Sequence, residues 1–313
     1  MLDYNNYFIG KIENLKDFFT ITYVIIDDIY NKLIPDRIKY RRNISDSKLS
    51  DTEIITIGLV GEAMTIDSEK AWFNFVKKNF KELFPQIGDR TRFNRTKRNL
   101  YKVISEIQTK FFSANKFGDN SYRIVDSMPI PVCNFGRAYF SKSFKDISSY
   151  GYCASKKESY FGLKLHALIT TKGFITDFTL TSANVDDREA LWELTESYKN
   201  IKIIGDKGYV SMELGKQLAL EQNISLLALQ RKNSKTQFPK HIRNILSKMR
   251  RRVETSFSQL TEQFNANKVL AKSKLGLMTR ITIKILAHNI SYLINFLSGN
   301  EDNIGKIKHL VFG

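Results

Sequence analysis

The apolar pattern of this chain changes period near Asn120, and that change limits what it can fold into. Before it, apolar residues recur at helical spacing. Leu15, Phe18, Phe19, Tyr23, Ile26, Ile29, Tyr30 and Leu33 make one stripe, and Trp72, Phe75, Val76, Phe80, Leu83 and Phe84 make another. Ser50 and Asp51 offer N-caps for a helix running to about Met64. Pro85 and Gly88 punctuate, and a helix is expected from Thr91 to Phe111. After Asn120 the pattern turns strand-like at 121–126, 162–171 and 174–182, the last two joined by a Lys172-Gly173 hairpin signal. Helices at 186–198 and 209–222 then alternate with strands at 201–206 and 224–229. Long helices at 241–264 and 276–297 close the chain. A hairpin followed by βαβ units predicts an α/β fold, a mixed sheet flanked by helices, preceded by an all-α region.

Charge narrows the partner. Across 313 residues the formal net charge is +17. Such an excess says nothing about fold but favours a polyanion, and nucleic acid is the expected one. A membrane surface is the competitor. The best spanning candidate, Ile281 to Leu297, is broken by Lys284, His288, Asn289 and Asn295. The first residues lack the basic and apolar regions of a signal peptide, so a cytoplasmic location is expected. Cys133 and Cys153 cannot build a four-thiolate zinc site.

Three carboxylates fall where metal chemistry on a polyanion would need them. Asp126 ends the run Ser-Tyr-Arg-Ile-Val-Asp, and Asp206 ends Ile-Lys-Ile-Ile-Gly-Asp, so both are expected at strand C-termini, where open α/β sheets bind ligands. Glu254 is the sole acid between Glu221 and Glu262, and nine Lys or Arg precede it between Arg231 and Arg252. On its helix it lies about 100° round from the buried stripe. Each aspartate has a plainer role open to it, capping a turn. Arg250 and Glu254 could be an ordinary ion pair one turn apart, although Arg before Glu is the weaker order. Oxygen ligands of this kind suit Mg²⁺ or Mn²⁺, and two such ions can run an in-line phosphoryl transfer.

The segments around these acids resemble the signature segments of DDE transposases with a ribonuclease-H-like core. They are Ile-Val-Asp126-Ser-Met-Pro, Gly-Asp206-Lys-Gly-Tyr209 and Arg250-x-x-x-Glu254. Phe-Gly-Leu-Lys-Leu-His166 and Thr-Ser-Ala-Asn184-Val-Asp-Asp-Arg-Glu look like the segments between them, and Asp89-Arg-Thr-Arg-Phe-Asn94-Arg is similar to insertion-sequence family 982 in particular. In the longer Tyr-Arg-Glu-Lys pattern of such families, Ser247 and Thr261 stand here at the Tyr and Lys positions. The resemblance implies a helical DNA-binding region over 1–118 and a ribonuclease-H-like catalytic domain over 119–313. The second would carry an insertion at 133–160 and the C-terminal helix 276–297. It implies that Asp126, Asp206 and Glu254 bind two Mg²⁺ (or Mn²⁺), cut the ends of a bacterial mobile element and join them to target DNA. The working form would be a homodimer on duplex DNA. A nuclease of the same fold that only hydrolyses, and a DNA-binding regulator with an inactive catalytic fold, are the alternatives.

Arg90, Arg92, Arg95, Lys97, Arg98 and Lys102 follow one another with no acid between Asp89 and Glu106. They suit phosphate contact, or they form a solvated face; Phe93 is expected in the core. Lys207 and Arg250 join Arg90, Arg92, Arg95, Lys97 and Arg98 as expected DNA contacts. Aromatics interleaved with cations over 133–160 either stack on unpaired bases or close a small core of their own. His166 is expected to be structural.

Overall fold

The computed structural model describes residues 12–42, 44, 47–114, 121–230, 233–234, 237–300 and 303–310. The chain separates into two compact units. Residues 1–116 and 260–313 form the first, and residues 117–259 the second. Residues 260–313, with the C-terminal helix, group with residues 1–116 and not with residues 117–259.

The first unit contains α1 (Leu15–Leu33), α2 (Asp36–Lys39), α3 (Asp51–Ala63), α4 (Glu69–Asn79), α5 (Arg90–Asn99), α6 (Tyr101–Ala114) and α10 (Lys274–Leu297). Ser50 closes a capping box with Glu53 at the start of α3, satisfying backbone donors that a helix N-terminus leaves open. α3 is buried nearly all round and packs against α1 and α10, while α10 also packs on α6. Gly61 permits one of these contacts: a Cβ there would lie 2.5 Å from Trp72 Nε1, which donates to the Ile57 carbonyl at 2.8 Å. The expected single helix over 91–111 is two, because Asn99 ends α5 and Leu100 stands between them with ψ near 4°. Asn gives up helical conformation readily, since its side chain competes for backbone hydrogen bonds.

The second unit holds β1 (Tyr122–Pro131), β2 (Ser149–Cys153), β3 (Glu158–Ile169), β4 (Ile175–Ser182), β5 (Lys202–Gly205) and β6 (Ser225–Ala228), with α7 (Asp187–Thr195), α8 (Met212–Gln222) and most of α9 (Lys240–Glu262). Its sheet runs β2-β3-β1-β5-β6, with β4 also on β3. β1 is antiparallel to β3 and parallel to β5, and β5 is parallel to β6. The expected mixed sheet flanked by helices is thus present, and β2 is a strand added to it. One core forms where Val125, Leu168, Ile203 and Tyr209 meet Leu191 and Leu194 of α7 and Leu218 of α8.

β1 does not end at Asp126, as the apolar run suggested, but continues to Pro131. Its pairing with β5 stops at Ile124↔Ile204, whereas its pairing with β3 continues to Pro131↔Gly162. The Val132 amide donates to Phe161 of β3. By the two-residue alternation of a strand, positions 127, 129 and 131 then point their nitrogens away from β3, toward the side with no partner strand. Proline lacks an amide hydrogen and is tolerated on such an edge, which is why Pro129 and Pro131 do not stop the strand.

Charge is also buried in the first unit. Glu62 accepts from Arg280 Nε at 3.0 Å and from Lys284, and Lys284 also donates to the Phe264 carbonyl. Burial alone would raise the Glu62 carboxyl, but the Lys284 and Arg280 charges outweigh it and hold the group at about 2. Because the folded value lies below the unfolded one, this contribution to stability is complete above the ordinary carboxylate range and is lost as pH falls toward 2. Glu62→Ala leaves two buried cations unpaired and is expected to cost roughly 3–5 kcal/mol, measured by denaturant unfolding at neutral pH. An unchanged midpoint would show the cluster to be without energetic consequence.

Candidate active site

Asp126 and Asp206 occupy matched positions. Each lies two residues beyond the last β1–β5 pair, Ile124↔Ile204. Each also accepts a local backbone bond, Asp126 from the Ser127 amide at 2.8 Å and Asp206 from the Gly208 amide at 2.7 Å. The turn-capping role is therefore real for Asp206, which opens a short 3-10 turn over Lys207–Tyr209. The Asp126 carboxyl is raised to about 6, first by burial and further by the Asp206 charge, against the opposing effects of Arg250 and the Ser127 amide.

Arg250 joins the third acid to this pair. Its Nη2 donates to Asp126 Oδ2 at 2.8 Å and its Nη1 to Glu254 Oε1 at 3.1 Å. The intrahelical pair exists, and the same guanidinium also reaches the sheet. Its Nε is buried with no protein partner. Val253 and Ser256 fix this face of α9, with Val253 buried and Ser256 Oγ donating to the Gly173 carbonyl at 3.0 Å. Glu254 itself stands at the rim, with its side chain 58% exposed against 18% for Asp126. Lys207 is exposed beside Asp206. No group of three or more His, Cys, Asp or Glu side chains is gathered closely enough to hold a metal among the described residues. Arg231, Lys232 and Lys235 of the basic run before Glu254 lie outside those residues.

The sequence reading missed Asp187. It accepts from Ser127 Oγ at 3.1 Å and from Lys164 Nζ at 3.1 Å, and lies 3.6 Å from His166 Nδ1. Burial, and then the charges of Asp187, Asp126 and Asp206, push the Tyr209 hydroxyl well above its usual value, so this ring sits among three carboxylates. The signal was the doublet Asp186-Asp187. One acid is enough to cap α7, and Asp186 does so by accepting from the Arg188 amide, which leaves Asp187 to face the sheet. Lys164 and His166 lie on one face of β3, two residues apart. His166 is fully buried and shares a 2.9 Å hydrogen bond with Thr181, and burial lowers its imidazole to about 4 against the raising effect of Asp187.

The first unit contains the basic helix. Asp89 caps α5, Phe93 is buried, and Arg92, Arg95, Arg98 and Lys102 are exposed. Lys97 differs from the expectation of a surface contact: it is buried, paired with Glu69 and set over the Phe93 ring. In the second unit, residues 133–160 bury part of their aromatic set and leave part exposed. Phe144 and Tyr160 are buried, while Tyr139 and Phe140 stay exposed and Phe135 packs edge-on to Tyr150.

Residues 118–273 match the family model described as Transposase DDE domain. The match supports a DDE transposase and, with it, DNA transposition as the general function. No curated protein matches the chain. Among solved structures, the chain is similar to a piggyBac transposase in a synaptic complex with hairpin DNA. That likeness has 13% identity and a TM-score of 0.46, and covers 95% of this chain and 78% of the other. Among the described residues, no helix is long and apolar enough to cross a membrane.

Asp187 is expected to brace the site. Asp187→Ala removes the acceptor of Lys164 and Ser127 and should lower stability by about 1.5–3 kcal/mol, read from the denaturant midpoint. Asp187→Asn keeps the volume and one acceptor oxygen and should recover part of the loss; equal losses in the two variants would show that the carboxylate's charge, not an acceptor at that place, is what matters there.

Proposed function

We propose that this chain, whose residues 118–273 match the transposase DDE domain, is a transposase of a bacterial insertion sequence of the family 982 type. It cuts duplex DNA at the element's ends and joins them to target DNA, working in the cytoplasm as a homodimer assembled on the DNA. The observation that carries this reading is the placement of Asp126 and Asp206 just past the β1–β5 pairing, with Arg250 linking Asp126 to Glu254.

The donor set fits a hard divalent cation. Asp126, Asp206 and Glu254 offer oxygens only, as Mg²⁺ or Mn²⁺ prefer. The Asp126 carboxyl stays raised to about 6, chiefly by burial and less by the Asp206 charge, even with Arg250 in contact. These three residues would hold two ions. When bound, the ions supply activation of the attacking oxygen and stabilisation of the leaving oxygen.

The chain's own groups orient the DNA. Arg250 presents a fork that meets a phosphate with paired hydrogen bonds, which an ammonium cannot reproduce. Lys207 adds a charge beside Asp206, and Asp187 keeps Lys164 and Ser127 in place. In the first step water adds to the end phosphodiester, its proton leaves, and the bond to the 3′-oxygen breaks to release a 3′-hydroxyl. In the second, that hydroxyl attacks a target phosphodiester and expels the target's own 3′-oxygen.

Two outcomes test the reading. The parent protein, incubated with its element's end DNA and Mg²⁺, should nick the end and yield a joined product. Asp126→Asn should abolish nicking while end binding is largely kept. Nicking without joining would leave a nuclease, and nicking by the Asn variant at the parent rate would remove Asp126 from the chemistry. Arg250→Lys is expected to slow cleavage at saturating DNA with the Mg²⁺ requirement unchanged. If raising Mg²⁺ restores its rate, Arg250 acts instead by positioning Glu254.

A further inference from the structure

The basic residues of α5 do not share one face. Arg90, Asn94, Lys97 and Arg98 follow helical spacing and line a cavity of about 370 Å³ within the first unit. The opposite wall is the segment before α10, with Lys272, and the first turns of α10, with Gly276 and Arg280. Five cations therefore surround this space against one acid, Glu69.

Two of the five are already compensated, Lys97 by Glu69 and Arg280 by Glu62. Arg90, Arg98 and Lys272 line the same space and make no ion pair with its one acid, which Lys97 already occupies. Like charges held around a concavity with low-dielectric walls focus a positive potential into it. The buried side-chain oxygen of Asn94 also lacks a protein partner, so its amide can turn over and present the NH₂ as a donor without giving up a hydrogen bond. Arg98 lies across the space: its Cδ is 3.8 Å from where a Cβ on Gly276 would stand. The volume suffices for a phosphodiester and several waters at about 30 Å³ each.

We propose that this cavity seats a backbone phosphate of duplex DNA, held by Arg90 and Arg98 from α5 and by Lys272 from the segment before α10. The proposal rests on the reading of the chain as a DNA-acting protein. It adds a contact that the basic helix alone does not contain, from a residue far away in sequence. Phosphate contacts carry no base information, so the seat fixes the unit's position on the duplex whatever the sequence beneath it.

The test uses the full chain and a random-sequence duplex of about 30 base pairs, roughly three helical turns, with binding followed by fluorescence anisotropy across a salt series. Lys272→Ala should flatten the slope of log affinity against log salt by up to ~0.9, equally on unrelated duplexes. Lys308→Ala, an exposed lysine of the same unit that does not line the cavity, should leave the slope unchanged. An unchanged slope for Lys272→Ala beside a reduced one for Arg92→Ala/Arg95→Ala would overturn the phosphate seat and leave DNA binding standing. Parent protein with no salt-dependent DNA binding would remove the underlying reading and the seat with it. A calorimetric arm with inorganic pyrophosphate covers the other source of the same chemistry. Loss of pyrophosphate binding in Lys272→Ala with the DNA slope intact would assign the cavity to free anions and overturn the proposal.

Discussion

The arrangement of the second unit depends on where β1 stops pairing with β5. Up to Ile124↔Ile204 the two strands are bound in parallel register. Beyond that pair their backbones are free of each other, and the next outward positions carry Asp126 and Asp206. A one-residue slip would turn every side chain to the opposite face and separate the two acids. The apolar residues on either side hold the register: Val125, Ile203 and Leu168 are fully buried in the core beneath.

Asp126, largely buried and near the Asp206 charge, resists ionising, and Arg250 opposes that shift. The guanidinium compensates Asp126 and ties it to Glu254, yet burial and Asp206 still keep the Asp126 carboxyl raised. The first unit solves the same problem differently. Glu62 receives two cations at once and is depressed. The Glu62 charge is compensated by two cations inside a core; Asp126 has one guanidinium, and burial keeps its carboxyl raised.

Periodicity and punctuation made most of the elements legible. α1, α3, α7, α8 and both long C-terminal helices fall within a few residues of expectation, because caps such as Ser50 and Ser211 act locally. What the pattern hid was non-local. β1 outran its apolar stretch because pairing with β3, not its own composition, sustains it. β2 was read as part of an insertion because it is only five residues long and its alternating tyrosines are exposed, and pairing with β3 is what makes it a strand. Asp187 was given no role of its own because its partners Ser127 and Lys164 are remote in sequence. The charge run of α5 looked uniform, and only the packed structure shows that Lys97 is withdrawn into an ion pair.

The first unit is assembled from the two ends of the chain, with the whole second unit made in between. α3 is apolar almost all round and packs against α10, and the buried Glu62 carboxylate meets its partners only in Arg280 and Lys284. During synthesis, then, α3 leaves the ribosome long before the surface that covers it exists. Helices of this kind are the aggregation-exposed species of larger proteins. Cooperative closure of this unit is a late event, after the sheet's strands have all been made. A newly made chain holds its sheet before the helical unit that flanks it in sequence is complete, so early termination between the two would release the sheet without α10.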